Sequence, residues 1–139
     1  MELFLKLSGI LLMILALVHI GFPKYFKWKT EFGTISLVNR QMMYIHALFI
    51  AIVLFMMGIL CLVSSQDLLH TNLGKRICLG LGIFWLIRLW VQFFGYSSRL
   101  WKGKKFETGM HVLFIVFWIY LSTVFIAVYF TQEVYEVAK

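Results

Sequence analysis

The chain has 139 residues, of which 62% are hydrophobic, 18% aromatic and only 14% charged, against about 25% charged in an ordinary soluble domain. This excludes a water-soluble globule, and the length leaves room for one domain, residues 1–139, with none beside it. A single proline and no low-complexity stretch exclude a disordered linker or tail.

A spanning helix needs about 20 mostly apolar residues to cross roughly 30 Å of hydrocarbon. Four segments supply that length: Leu3 to Phe22, Gln41 to Val63, Ile77 to Ser97 and Met110 to Phe130. The first has no small-residue cleavage site and runs into Gly21-Phe22-Pro23-Lys24, so it reads as a retained anchor and not as a secretory signal. Short connections force neighbouring helices to run antiparallel. The expected fold is therefore an all-α integral membrane protein, an antiparallel up-down bundle of four transmembrane helices.

Basic residues set the expected orientation. Lys24, Lys27, Lys29 and Arg40 flank the first connection and Arg99, Lys102, Lys104 and Lys105 the third, whereas Lys6, Lys75, Arg76 and Lys139 lie on the other side. Eight against four places the first and third connections in the cytoplasm and both termini outside, as in a bacterial inner-membrane protein. The net charge of +7 is then a matter of topology and attraction to anionic lipid, and nucleic acid is not an expected partner. Pro23 to Phe32 interleaves bulky aromatics with lysines, and Tyr96, Arg99, Trp101 and Lys102 do the same in the third connection. Both suit the headgroup layer, rings down and ammonium groups out.

At the entrance to the second span, Asn39 is the expected N-cap, with Arg40 and Gln41 beside it at a helix N-terminus that favours anions. Met42 and His46 share one face of that helix with Val53. Cys61 and Cys78 flank the second connection and could bridge if that side is oxidising, but they read better as small residues at helix interfaces. Cys78 with Gly82 forms a small-xxx-small pair, and Gly80 is assigned to packing with it.

All six carboxylates fall outside the four segments. A carboxylate-bridged di-iron site, a Glu-x-x-His pair or an acidic proton relay cannot be built inside such a core. Ser-His-Asp sets, His-Glu-x-x-His helices and phosphate-binding glycine loops are also missing from the sequence. The intramembrane polar groups are nitrogen donors instead. Arg88 lies about midway along the third segment, where an unpaired guanidinium costs at least about 2.5 kcal/mol. Trp85 precedes it by three residues and Gln92 follows by four, so the three share a stripe that leads on to Tyr96. His19, His46 and His111 come from three different helices, all within roughly 2 to 8 Å of the cytoplasmic boundary at 1.5 Å per residue; His70 is in an outer loop.

Imidazoles at matched depth could ligate a b-type haem, with Arg88, Arg40 or a loop lysine offsetting its propionates, or hold another transition metal. They could equally line a pocket for a lipid headgroup or quinone, or be ordinary interfacial histidines. Two function classes follow, and neither fixes whether the protein is an enzyme. One is a membrane protein that binds a lipid-like, quinone or haem/metal ligand: His19, His46 and His111 ligate it or move protons, Arg88 and Arg40 hold an anionic group, and Gln92, Tyr96, Asn39 and Gln41 orient it. The other is a non-catalytic accessory or scaffold subunit whose Arg88 meets a carboxylate on another chain. Membrane lipids are the expected partners of either, with a homo-oligomer or a larger membrane complex around it.

Overall fold

Long apolar runs without a carboxylate leave the backbone no partner in hydrocarbon but itself, and among the described residues every regular element is helical. The computed structural model describes residues 1–137, without the side chains of Ser98 and residues 132–137. It contains α1 (Glu2–Tyr25), a single turn α2 (Trp28–Glu31), α3 (Leu37–Val63), a short α4 (Ser65–His70), α5 (Asn72–Phe94) and α6 (Lys105–Val137). Among the described residues α1, α3, α5 and the Lys105–Thr131 part of α6 are long and apolar enough to cross a membrane. Each of the four expected spans corresponds to one long helix, every one of which starts before its apolar run, while the third ends at Phe94, three residues short of the expected Ser97.

The boundaries move for local reasons. Ser36, not Asn39, caps α3: its Oγ accepts from the Asn39 backbone N–H at 3.4 Å, so Asn39 is already inside the first turn. A hydroxyl in front of Leu37 captures an orphan amide two residues before the apolar run begins. Likewise Thr71 caps α5, its Oγ1 accepting from Gly74 N–H at 2.9 Å, and the helix starts at Asn72 instead of Ile77. It ends at Phe94, where the Gly95 amide donates to Val91 O at 2.7 Å, so Tyr96 and Ser97 lie outside it. Arg88 is consequently six positions from the end of α5, about 9 Å along the axis, and not at mid-helix.

The chain divides into two compact units, Leu5–Ser65 and Met1–Phe4 with Gln66–Lys139. In the first, α1 and α3 run antiparallel. Buried Ala47, Ala51, Leu54, Gly58 and Cys61 follow alternating four- and three-residue steps along α3, and buried Leu5, Ser8, Gly9, Leu12, Leu15 and Ala16 lie along one side of α1. That spacing is the one a coiled-coil seam uses. At Gly9 and Gly58 the backbones touch: a methyl on Gly9 would sit 2.8 Å from Gly58 O, and one on Gly58 would sit 2.8 Å from Gly9 O. Small residues at a crossing are how apolar helices gain contact where lipid supplies no hydrophobic drive.

In the second unit α5 and α6 are antiparallel, with Trp85 stacked on Trp118 at 5.0 Å between centroids and Gly82 against Ile126. Gly82 is thus a packing glycine, but Gly80 is not: a methyl there would meet nothing within 4 Å. Cys61 and Cys78 are both buried and neither is in a disulfide.

Substituting Gly58 by Ala should destabilise the α1–α3 pair by about 1 to 3 kcal/mol, because the added carbon overpacks against backbone. Gly80→Ala, which enters open space, should be neutral or stabilising by up to about 1 kcal/mol. Thermal melts of the two variants in one detergent, followed by circular dichroism, check the contrast.

Candidate functional site

Four of the residues singled out in the sequence come together where α5 meets the loop into α6. Arg88 donates from Nη1 to Gln92 Oε1 at 3.2 Å and from Nη2 to Tyr96 Oη at 3.4 Å. Gln92 Nε2 lies 2.8 Å from His111 Nδ1 on the facing helix. The four-residue spacing of Arg88 and Gln92 puts both on one stripe of α5, and the antiparallel register of α6 brings His111 opposite Gln92.

The direction of these bonds follows from what each group can do. A guanidinium only donates, so the Gln92 amide must turn its oxygen toward Arg88. Its NH2 then faces His111, whose Nδ1 has to accept and whose Nε2 carries the proton. Donation runs one way, from Arg88 through Gln92 to His111. Arg88 and His111 are half-buried and Tyr96 is exposed, whereas Gln92 is 6% exposed and so forms the buried link.

Aromatic rings frame the chain of bonds. The Arg88 guanidinium carbon lies 4.9 Å from the Trp118 ring centroid and 5.7 Å from that of Tyr96, distances at which ring faces stabilise a cation by about 0.5 to 2 kcal/mol each. Trp101 stacks on His111, centroids 3.8 Å apart and planes 12° from parallel. The loop is held in place for this by Thr108, whose Oγ1 lies 2.8 Å from both Trp101 O and Lys104 O, and by Gly103, at φ +83°, where a side chain would strain the turn. Trp85 and Trp118 are buried, and their Nε1–H groups have no hydrogen-bond partner among the described residues.

Trp101 and Trp118 contact the cluster without standing out in the sequence as members of it. Trp118 lies seven residues after His111, hence on the same face of α6, and that spacing could have revealed it. Trp101 reads as a headgroup anchor, and nothing in its surroundings in the sequence announces a stacking partner ten residues away.

The remaining candidates belong to the Leu5–Ser65 unit. His19 Nδ1 lies 2.9 Å from Leu15 O and His46 Nδ1 lies 2.7 Å from Met42 O. Each therefore donates to its own helix four residues back and carries its lone pair on Nε2. His46 lies on the face of α3 that holds exposed Met42, Met43, Ile50 and Val53, off the packed seam. Asn39 and Gln41 are exposed, and Arg40 is half-buried in the first turns of α3. Among the described residues no three His, Cys, Asp or Glu side chains are grouped to hold a metal ion.

No protein-family model, curated protein or solved structure matches the chain. The residues themselves carry the functional argument.

Replacing Gln92 by Leu keeps the volume but removes both amide bonds, leaving Arg88 and His111 to find other partners. Stability should fall by about 1 to 3 kcal/mol. The 15N spectrum of selectively labelled His111 should change from one dominant Nε2–H tautomer to a mixture.

Proposed function

We propose that this is a small polytopic membrane protein that binds a lipid-like ligand at the polar cluster of Arg88, Gln92, Tyr96 and His111, framed by Trp101 and Trp118. The observation that carries the reading is the one-way chain of hydrogen bonds from Arg88 through Gln92 to His111. It organises a cation and an imidazole N–H within an apolar helical hairpin, with no carboxylate bonded to any member among the described residues. A residue that merely snorkels needs no buried amide to orient it. Quinone and haem remain competing ligands of the same reading. In the Leu5–Ser65 unit His19 and His46 are separate candidates for haem or metal ligation, with Arg40, Asn39 and Gln41 at an anion-favouring helix start.

The second reading, an accessory subunit whose Arg88 pairs with a carboxylate of another chain, makes a different prediction for the same variant. In a ligand site Arg88→Ala should yield a folded, monodisperse protein that has lost a co-purifying small molecule. In an accessory subunit it should abolish co-purification of a partner chain. Native mass spectrometry of protein extracted in mild detergent reads both, and a reduced-minus-oxidised absorbance spectrum of the same sample tests for haem. Loss of neither a small molecule nor a partner chain would remove the case for Arg88 as a recognition residue.

Orientation belongs to the same proposal. With eight basic residues beside the α1–α3 and α5–α6 connections, those loops face the cytoplasm of a bacterial inner membrane and both termini face out. Alkaline phosphatase fused at the C-terminus should be active, and fused within residues 102–105 inactive.

A further inference from the structure

We infer that the Arg88–Gln92–His111 cluster takes the anionic headgroup of a membrane amphiphile, a carboxylate or a phosphodiester, in preference to a neutral carbonyl ligand. The inference rests on the reading of this cluster as a ligand site and names what it selects.

The hydrogen-bond inventory is lopsided. A guanidinium has five N–H groups, and among the described residues those of Arg88 meet two oxygens, Gln92 Oε1 and Tyr96 Oη. Both acceptors are neutral. With Gln92 accepting on one side and donating on the other, the proton of His111 is placed on Nε2, a further donor. Tyr96, which accepts from Arg88, keeps its own O–H to give. The unspent capacity of the cluster is therefore donor capacity, the reverse of what a cation or a ligand rich in N–H would need.

Charge points the same way. Arg88 brings one positive charge into an apolar helix, and neutral oxygens and ring faces stabilise it without cancelling it. The carboxylates of the chain fall at helix ends or in connections, and none is bonded to Arg88 among the described residues. A neutral ligand would accept hydrogen bonds and leave the charge in place. A singly charged carboxylate or phosphodiester cancels it, and two of its oxygens match the fork of a guanidinium, as in the bidentate pairs that make Arg the usual residue for such groups.

Access and surroundings fit an amphiphile. Tyr96 is exposed and Arg88 and His111 are half-buried, so the cluster opens at the loop end of the hairpin. The basic residues Arg99, Lys102, Lys104 and Lys105 lie in the adjoining loop and helix start, where they concentrate anions. Toward the hydrocarbon the outer faces of the two helices are apolar, with Ile83, Ile87, Val112, Leu113 and Val116 all exposed, a surface on which an acyl chain can lie.

The test uses the full chain, delipidated in a neutral detergent and titrated separately with oleate, phosphatidylglycerol and decylubiquinone under native mass spectrometry. The expected result is one-to-one binding of oleate or phosphatidylglycerol at least ten-fold tighter than decylubiquinone, weakened at least ten-fold by Arg88→Gln and by a smaller factor by Arg88→Lys, which keeps the charge but loses the fork. Tight oleate with weak phosphatidylglycerol identifies a carboxylate, and the reverse a phosphodiester. Decylubiquinone binding as tightly as either anion, or anion binding indifferent to Arg88→Gln, overturns the anion assignment. If decylubiquinone still responds to Gln92→Leu in that case, the ligand-site reading itself survives. No one-to-one binding of any of the three overturns both. Should Arg88→Gln fail to fold, the ranking of the three probes on the unmodified protein decides alone.

Discussion

A guanidinium about two turns inside an apolar helix, in a chain whose carboxylates fall at helix ends or in connections, must find its partners among neutral oxygens, ring faces and whatever the membrane supplies. This constraint organises the α5–α6 hairpin. Gln92 is where it is because four residues is the spacing at which a side chain can reach back to Arg88 along one helix face. Tyr96 is reached only because α5 stops at Phe94, letting the chain carry a phenol back over the guanidinium. Trp118 supplies a ring face from the opposite helix. The buried amide then passes the polarity of Arg88 on to an imidazole in α6, so a charge on one helix fixes the protonated nitrogen on another.

The two hairpins meet the requirements of a lipid solvent in different ways. Between α1 and α3 the device is absence of side chain: Gly9 and Gly58 let backbone meet backbone. Between α5 and α6 it is bulk. Trp85 and Trp118 stack almost parallel, Phe114 also stacks on Trp118 at 5.7 Å, and Gly82 is small enough to admit Ile126. A seam of small residues presents little polar surface. A seam built on two indoles carries two N–H donors with it, and the polar cluster is on the indole side.

What the sequence discloses follows from what is local in it. The four spans are legible because hydrocarbon thickness converts directly into a count of apolar residues, and the Trp85–Arg88–Gln92 stripe because it depends on helical period alone. Helix starts are misread where a hydroxyl cap stands apart from the apolar run: Ser36 and Thr71 each begin a helix earlier than hydropathy suggests. Rotation of one helix about its axis is not written in hydropathy, so Gly9 against Gly58, and Trp101 over His111, emerge only with the structure. Gly80 and Gly82 make the point in one turn of α5. They look equivalent in sequence, and only Gly82 faces a neighbouring helix.

The histidines show why residue type and depth are weak evidence for chemistry. His19 and His46 each give the Nδ1 proton to a carbonyl of their own helix, leaving Nε2 with its lone pair, the arrangement in which a ligating imidazole ties down its other nitrogen. His111 is the opposite tautomer, its Nδ1 occupied by Gln92 and its Nε2 a donor. It can hold an oxygen in this state, and it can ligate a metal through Nε2 only by giving up the orientation that Arg88 imposes through Gln92. Among these three histidines, then, His19 and His46 present a lone pair on Nε2 and His111 presents a proton there. The residue that separates them is Gln92, a neutral side chain whose two ends cannot be exchanged while a guanidinium lies beside one of them.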